Sequence, residues 1–593
     1  MPPNNPRAVD KKQRVLALLQ NEKFEEAKSL LAEVCKLDHG DAQAWQLLGA
    51  IHGMLGDVGK AESCCRRAIA LQPDSAETRA NLGVALEKQG RLEEALQSYQ
   101  EAVHLNPRHI NAFFNMGNVL KSLGRVDEAV GRYRRALALR PDDAEIHINL
   151  GVALATQKHY PEAIASYHAA LAIRPDYAEA HNNLGAALAS QHQLDAAIDL
   201  YRRSLAIKPD YAEAYYNLGI ALSDQYKLEE AIACYQRAIE IDPKYAEAYR
   251  NLGVAFEKKG WHDRAIACYR RALQIKPSPG VHFNLALIYL RTGNFKEGWN
   301  EYEWNWRRES SPARPFAHSH WDGSDLAGRS VFLHAEQGLG DEIFFLRFLK
   351  QLKQRGAGSI AYRPSKKIVG LLARVPAIDR LVDPQATPPP SDLVFSVGDL
   401  PKLLGMERVE QIPPPLALDP LPGKVDDLRN RLRAFGPAPY LGITWRAGTR
   451  SKEGALFKEC PVASLAQALR EIPGTILLLQ RHPEASKIEA FTSTLGRPAH
   501  NLSSLNDDLE SMLALLALID DYIGVSNTNM HLRAGVGKTA RVLVPAPPEW
   551  RWMAEGKESP WFPGFGVYRQ KYDGSWEEAF DMLAADLKTS YGV

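Results

Sequence analysis

Three segments in the C-terminal half carry residue types suited to holding a charged ligand against the backbone. In V-F-L-H-A-E-Q-G-L-G-D-E-I-F-F-L-R-F-L (331–349), a strand-like run leads into Gly338 and Gly340 and then into an amphipathic helix. Paired glycines let a backbone turn sharply and approach a ligand; Asp341, at the helix start, would either face a cleft or cap the helix. In G-I-T-W-R-A-G-T-R-S-K (442–452) and F-K-E-C-P (457–461), a strand ends in a loop carrying Arg446, Arg450, Lys452 and Lys458. Such a loop could clamp a diphosphate or be a solvated basic surface. In D-Y-I-G-V-S-N-T-N-M-H-L-R-A-G-V-G-K (521–538), a strand, a polar turn and a helix starting near Thr528 would aim free backbone N–H groups at a phosphate.

These segments need a scaffold of strands. The runs 330–335, 359–364, 392–397, 440–445, 475–480, 521–526 and 540–545 read as strands alternating with helical stretches, which argues for parallel sheets with crossover helices. A Pro-rich stretch from Pro384 to about Pro439 interrupts the alternation, giving a first lobe over 309–420, a linker over 421–437 and a second lobe over 438–593 closed by a helix from about Ser575 to Ser590. Two near matches fail. Only two of the three glycines of a dinucleotide fingerprint are present, and A-G-V-G-K-T (534–539) has Leu532 where a phosphate-binding loop requires glycine.

The N-terminal half is periodic. Pro73, Pro107, Pro141, Pro175, Pro209, Pro243 and Pro277 recur every 34 residues, as do glycines from Gly49 to Gly253, alanines from Ala27 to Ala265 and tyrosines from Tyr99 to Tyr269. Small residues let paired helices approach, the aromatic fills the gap, and proline stops the second helix. After a tail over 1–7, residues 8–308 thus form eight helix pairs and a partial ninth, stacked into a superhelix with a concave groove. One further register places Asn81, Asn115, Asn149, Asn183, Asn217, Asn251 and Asn284 on the first helix of successive pairs. Asparagine is a mediocre helix former, and a primary amide both donates and accepts. A row of them could bind a peptide backbone whatever its side chains, or could serve only helix packing.

The 34-residue pattern resembles the tetratricopeptide repeat, and the amide row resembles the asparagine ladder of O-GlcNAc transferases, which grips extended acceptor protein. The segment A-E-Q-G-L-G-D (335–341) resembles the first loop of heptosyltransferase-like enzymes and of bacterial tetratricopeptide-fused glycosyltransferases, with Arg347 where a proline is usual. The block around Ser526, Asn527, Thr528, Asn529 and His531 resembles their D-[ST]-x-x-x-H-L-x-x-x-x-G motif, with Ser526 in place of the aspartate. Lys458, three residues before Pro461, resembles their phosphate-contacting lysine. The resemblance implies a GT-B fold of two Rossmann-like lobes, with ligands at the carboxyl ends of the strands. It implies Asp341 as catalytic base, with Glu336 as the alternative. It also implies a donor site of Arg446, Lys452, Lys458, Gln480 at the end of T-I-L-L-L-Q, and residues 526–531. No D-x-D occurs, so neither metal nor cofactor is expected; the nucleotide sugar is a co-substrate. P-A-P-P-E-W-R-W-M (545–553) and S-P-W-F (559–562) resemble a W-R-W…S-P-W block of the same relatives, read as packing more than as site.

Composition narrows the choice. The 593 residues carry 72 Lys+Arg against 71 Asp+Glu, a net charge of +1, which disfavours a dedicated nucleic-acid binder. Six cysteines without a C-x-x-C pair give neither a disulfide framework nor a zinc site. No apolar run approaches the roughly 18 residues of a membrane span, and the N-terminus lacks a signal-peptide core, so the expected compartment is the cytoplasm. The expectation is a metal-independent, inverting protein glycosyltransferase with an acceptor, flagellin-like by resemblance, in the repeat groove. Two rivals stay open: a non-catalytic scaffold with a degenerate transferase half, favoured by Arg347 and Ser526, and a lipopolysaccharide sugar transferase.

Overall fold

The computed structural model describes residues 6–307, 319, 321–335, 338–447 and 458–593. The chain forms two compact units, Met1–Pro243 and Lys244–Val593. Among the described residues no helix is long and apolar enough to cross a membrane.

The first unit is built from helix pairs, from Pro6–Gln20 with Phe24–Leu37 through Ala212–Asp224 with Leu228–Ile241. Its period has a steric origin. A Cβ placed on Gly83 would stand 2.5 Å from Cε1 of Tyr99, and Gly151, Gly185 and Gly219 each face the tyrosine of their own second helix in the same way. These tyrosines are buried, as are Ala95, Ala163, Ala197 and Ala231 on the same helices. The residue before each proline, such as Gln72 at φ −137° and ψ 90°, has left the helical region, as the ring of the following proline demands. Gly83→Ala is therefore expected to destabilise this unit by about 1–3 kcal/mol through overpacking. Gly131→Ala, on a helix where an added Cβ meets nothing within 4 Å, is the control. It should stabilise by about 0.5–1 kcal/mol through helix propensity. Urea unfolding followed by circular dichroism separates the two.

The second unit opens with two further pairs, Ala246–Lys258 with His262–Ile275 and Pro279–Arg291 with Phe295–Tyr302. Two parallel sheets follow. In the first lobe β1 (Ser330–His334), β2 (Ser359–Arg363), β3 (Arg380–Leu381) and β4 (Leu393–Ser396) lie in the order β3-β2-β1-β4. The second lobe has β5 (Tyr440–Thr444), a small antiparallel pair of β6 (Arg446–Ala447) and β7 (Lys458–Glu459), then β8 (Thr475–Leu478), β9 (Ala499–Asn501), β10 (Asp521–Val525), β11 (Arg541–Val544) and β12 (Gly566–Arg569). Its main sheet is ordered β12-β11-β10-β5-β8-β9. The central strands are covered on both faces, so they read as unbroken apolar runs; every residue of β10 is buried.

The segment 421–437, expected as a linker, contains the helix Pro422–Arg433, whose Leu428 and Leu432 are buried and whose Lys424 Nζ lies 2.6 Å from Asp508 Oδ2. The closing helix runs from Glu577 to Tyr591. The last repeats are also part of the α/β unit's packing. Trp299 meets Trp550 edge-on at 5.4 Å and Trp561 at 6.1 Å, and an added Cβ on Gly260 would stand 2.8 Å from the Tyr572 ring.

Candidate functional site

A cleft of about 810 Å³ lies between the two sheets, lined by residues that follow the carboxyl ends of β1, β5, β8, β10 and β11. From the first lobe comes the turn after β1. Gly338 takes φ +86°, a conformation that suits glycine, and the helix Leu339–Phe345 then places Asp341 in its first turn. Gly340 leaves the backbone close to the opposite lobe: a Cβ there would stand 3.2 Å from Cδ2 of His531. Glu336, the alternative base, and the basic-loop residues Arg450 and Lys452 lie outside the described residues.

From the second lobe comes the turn between β10 and the helix Thr528–Gly535. The Asn527 side chain accepts from the Asn529 N–H at 3.0 Å and so caps the helix, while its own amide donates to Thr444 Oγ1 at 3.1 Å. The helix is bolted down by Arg533, which is buried and donates to the carbonyls of Thr539 at 2.8 Å and of Ile519 and Asp520 at 2.9 Å. Burial lowers that guanidinium to about 10.

Of the expected site residues, Gly338, Gly340, Asp341, Arg446, Lys458, Gln480, Ser526, Asn527, Thr528, Asn529 and His531 all line this one cleft. Their side chains are not equally available. Gln480 Oε1 accepts from the backbone N–H groups of Trp445 at 3.0 Å and Arg446 at 2.8 Å, so its amide braces two strand ends. Arg446 is bound to Glu484 and to the His482 carbonyl, each at 2.8 Å. Asn529 is buried, with its amide 3.4 Å from Asn506 Oδ1. His531 is buried with its ring edge-on to Phe344 and Phe562, and its Nδ1 has no hydrogen-bond partner. Burial, reinforced by nearby Arg551, holds its pKa well below the ordinary histidine value, so the ring is neutral.

Two residues outside the sequence assignment, Glu549 and Arg551, complete the site. Arg551 is bound to Asp341 and to Glu549, and Lys458 is bound to Glu549. Ser526 donates to Glu549 at 3.1 Å. A carboxylate from the segment after β11 is thus brought to the 526–531 turn. Burial would raise the Glu549 carboxyl, but Lys458 and Arg551 hold it well below the usual carboxylate range. For Asp341 burial wins: its pKa is raised, with Arg551 opposing and Glu549 adding to the rise. Glu549 and Arg551 alternate with the buried Trp550 and Trp552, so a segment that reads as an aromatic plug sends two charges into the cleft. Arg347, in place of the usual proline, is also buried. It donates to the Trp561 carbonyl at 2.9 Å and lies 4.2 Å over the Phe344 ring, tying the first-lobe helix to the aromatic block.

The asparagine row lies half-buried on the first helices of its pairs, Asn81 to Asn217 in the first unit and Asn251 and Asn284 in the second. Some of these amides have local partners. Asn149 accepts from Lys121 Nζ at 3.0 Å, and Asn217 donates at 3.0 Å to Asn182, which is fully buried.

Comparison with known proteins identifies the repeats. Models described as tetratricopeptide or TPR repeats match residues 13–76, 64–97, 88–124, 114–178, 187–225, 224–260 and 246–279. Protein FlbA of Caulobacter vibrioides is 27% identical over 335 residues, which cover 52% of this chain and 55% of that protein, so the chain spans about half the length of this curated relative. Solved structures similar to part of the chain include YrrB, titled a TPR protein with an unusual peptide-binding site, at 24% identity over 31% of this chain and 96% of that one, with a TM-score of 0.27. Another is the APC/C hetero-tetramer Cut9-Hcn1, at 17% identity over 45% and 52% of the two chains, with a TM-score of 0.35. The N-terminal half is a helical array of tetratricopeptide repeats, followed by an α/β region with parallel sheets.

Proposed function

We propose that the chain is a glycosyltransferase of GT-B architecture that moves a sugar from a nucleotide sugar to a Ser or Thr hydroxyl of an acceptor protein. The observation that carries this reading is the convergence, in one cleft between two parallel sheets, of the Gly338–Asp341 turn, Lys458 and the amino end of the Thr528–Gly535 helix. Ligands of open α/β sheets bind at the carboxyl ends of strands, and a helix amino end favours an anion. Asp341 accepts the acceptor hydroxyl's proton as its oxygen bonds to the anomeric carbon. The bond to the donor phosphate breaks with its electron pair on the leaving group, whose charge is met by Lys458 and the positive amino end of the Thr528–Gly535 helix. One base acting without a covalent intermediate inverts the anomeric configuration. The amide row guides the acceptor, for which a flagellin-like protein remains the candidate by resemblance, in the cytoplasm.

Nucleotide release from a panel of nucleotide sugars, with and without candidate acceptor protein, tests this reading. Turnover with one donor supports it. The rival scaffold reading draws on the closed charge network, in which Asp341, Arg551, Glu549 and Lys458 already satisfy one another; no turnover with any donor would favour it.

The amide row separates a protein acceptor from a lipid one. Converting Asn81, Asn115 and Asn183, all in the first unit, together to Ala should reduce transfer to protein by about tenfold or more, since each lost hydrogen bond is worth about 0.5–1.5 kcal/mol. Hydrolysis of the donor should be unchanged. Equal transfer to protein by wild type and variant in a mass-spectrometric assay would remove the row from acceptor binding and favour the lipopolysaccharide alternative.

A further inference from the structure

The carboxylate of Glu549 sits between two of the cations that line the cleft. One oxygen takes the Lys458 ammonium and, at 3.1 Å, the Ser526 hydroxyl; the other takes the Arg551 guanidinium. The Glu549 side chain is 10% exposed and that of Arg551 8%, so little water screens these charges. Burial penalises an ionised carboxyl, yet Glu549 is held as an anion by the two cations. The surroundings therefore stabilise negative charge at this point, and they do so beside the amino end of the Thr528–Gly535 helix and the unpartnered Nδ1 of the neutral His531. Two cations against two carboxylates leave these four groups with no net charge. An incoming phosphate would meet Lys458 and Arg551 already neutralised, and would approach Glu549 as a like charge in a partly desolvated space.

We propose that Glu549 is a built-in occupant of a phosphate subsite formed by Lys458, Arg551, Ser526 and the amino end of the Thr528–Gly535 helix, and that a phosphate group of the donor takes the place of its carboxylate. That this phosphate belongs to a nucleotide sugar rests on the reading above; the anion subsite itself does not. When the carboxylate withdraws, Lys458 and Ser526 become donors to the ligand. Arg551 keeps its contact with Asp341, so the proposed base stays in position while the leaving-group side of the cleft changes hands.

Calorimetric titration of the full chain with inorganic pyrophosphate at neutral pH and low salt tests this. Glu549→Gln keeps the shape and removes the charge, and it should bind pyrophosphate about tenfold or more tightly than wild type, equivalent to ~1.4 kcal/mol. Lys458→Met should bind more weakly than wild type. Because Glu549→Gln leaves two buried cations against one carboxylate, the double variant Lys458→Met/Glu549→Gln, which removes one charge of each sign, guards against loss of folding. It should bind more tightly than Lys458→Met alone. Equal or weaker binding whenever Glu549 is neutralised would overturn the proposal and make Glu549 part of the binding surface. Turnover is not read in this titration. Tighter binding in a chain that transfers no sugar would keep the subsite and sink the transferase, whereas turnover with unchanged binding in Glu549→Gln would do the reverse.

Discussion

Asp341→Asn is expected to lower sugar transfer by about 10²–10⁴-fold, the usual worth of a positioned general base. Affinity for the nucleotide should not fall. The amide keeps the volume of the carboxylate and can still accept from Arg551, but it cannot take a proton from the attacking hydroxyl. The proposed base has room to meet an acceptor. Its side chain is 39% exposed and opens to the cleft, while one oxygen is held by Arg551. Desolvation between the walls of the cleft raises its pKa above the ordinary aspartate value, even with this opening. A base must be ionised to act, so the rate falls as pH drops through that pKa. The acidic limb of kcat/KM should accordingly lie above the ~3.9 of an unperturbed aspartate, and it should vanish in the variant. Wild-type rates from Asp341→Asn would move the base elsewhere, with Glu336 next in line.

Arg551→Ala should destabilise the chain by about 3–5 kcal/mol at neutral pH, the cost of breaking a buried ion network from one side. Glu549 keeps Lys458, but Asp341 loses the cation shown to hold it, and the guanidinium no longer lies 4.5 Å over the rings of Phe344 and Trp550. The sign of the pH dependence distinguishes this from simple loss of packing. In the wild type Glu549 has a lowered folded pKa, so its contribution is present above the unfolded value of ~4.3 and is lost as pH falls. In the variant Asp341 has a folded pKa raised further above its unfolded value, so the structure binds protons more readily than the unfolded chain. The variant's deficit should be greatest at neutral pH and shrink as pH falls through the raised pKa of Asp341. Thermal unfolding of both chains from neutral to acid pH measures it; a deficit independent of pH would assign Arg551 to packing alone.

The parts of the molecule legible from sequence are those fixed by local pattern. A strict 34-residue period demands equivalent helix pairs, because Gly83 and Tyr99 meet within a single repeat. The doubly covered strands announce themselves as apolar runs, whereas β9 (Ala-His-Asn) and β12 (Gly-Val-Tyr-Arg) lie at the sheet edges, are short, and carry too little apolar signal. Half of the helix Pro422–Arg433 is charged, and its buried residues Leu428 and Leu432 are easily missed after a proline-rich stretch. The same rule governs the site. The glycine turn and the 526–531 turn are local and were readable. The bond between Asp341 and Arg551 joins residues 210 apart, and that between Lys458 and Glu549 joins residues 91 apart, so neither is visible to spacing. Gln480 and Arg446 illustrate the converse: a polar residue at a strand end looks like a ligand contact until its partners prove to be neighbouring protein groups.

The central claim is that this chain attaches sugar to protein. Intact-mass analysis of the organism's abundant secreted and surface proteins, with and without this gene, tests it most directly. The claim predicts that at least one protein loses mass in steps of a single sugar residue when the gene is removed, that the intact gene restores the steps, and that the Asp341→Asn gene does not. Identical masses in all strains, with lipopolysaccharide altered instead, would contradict it.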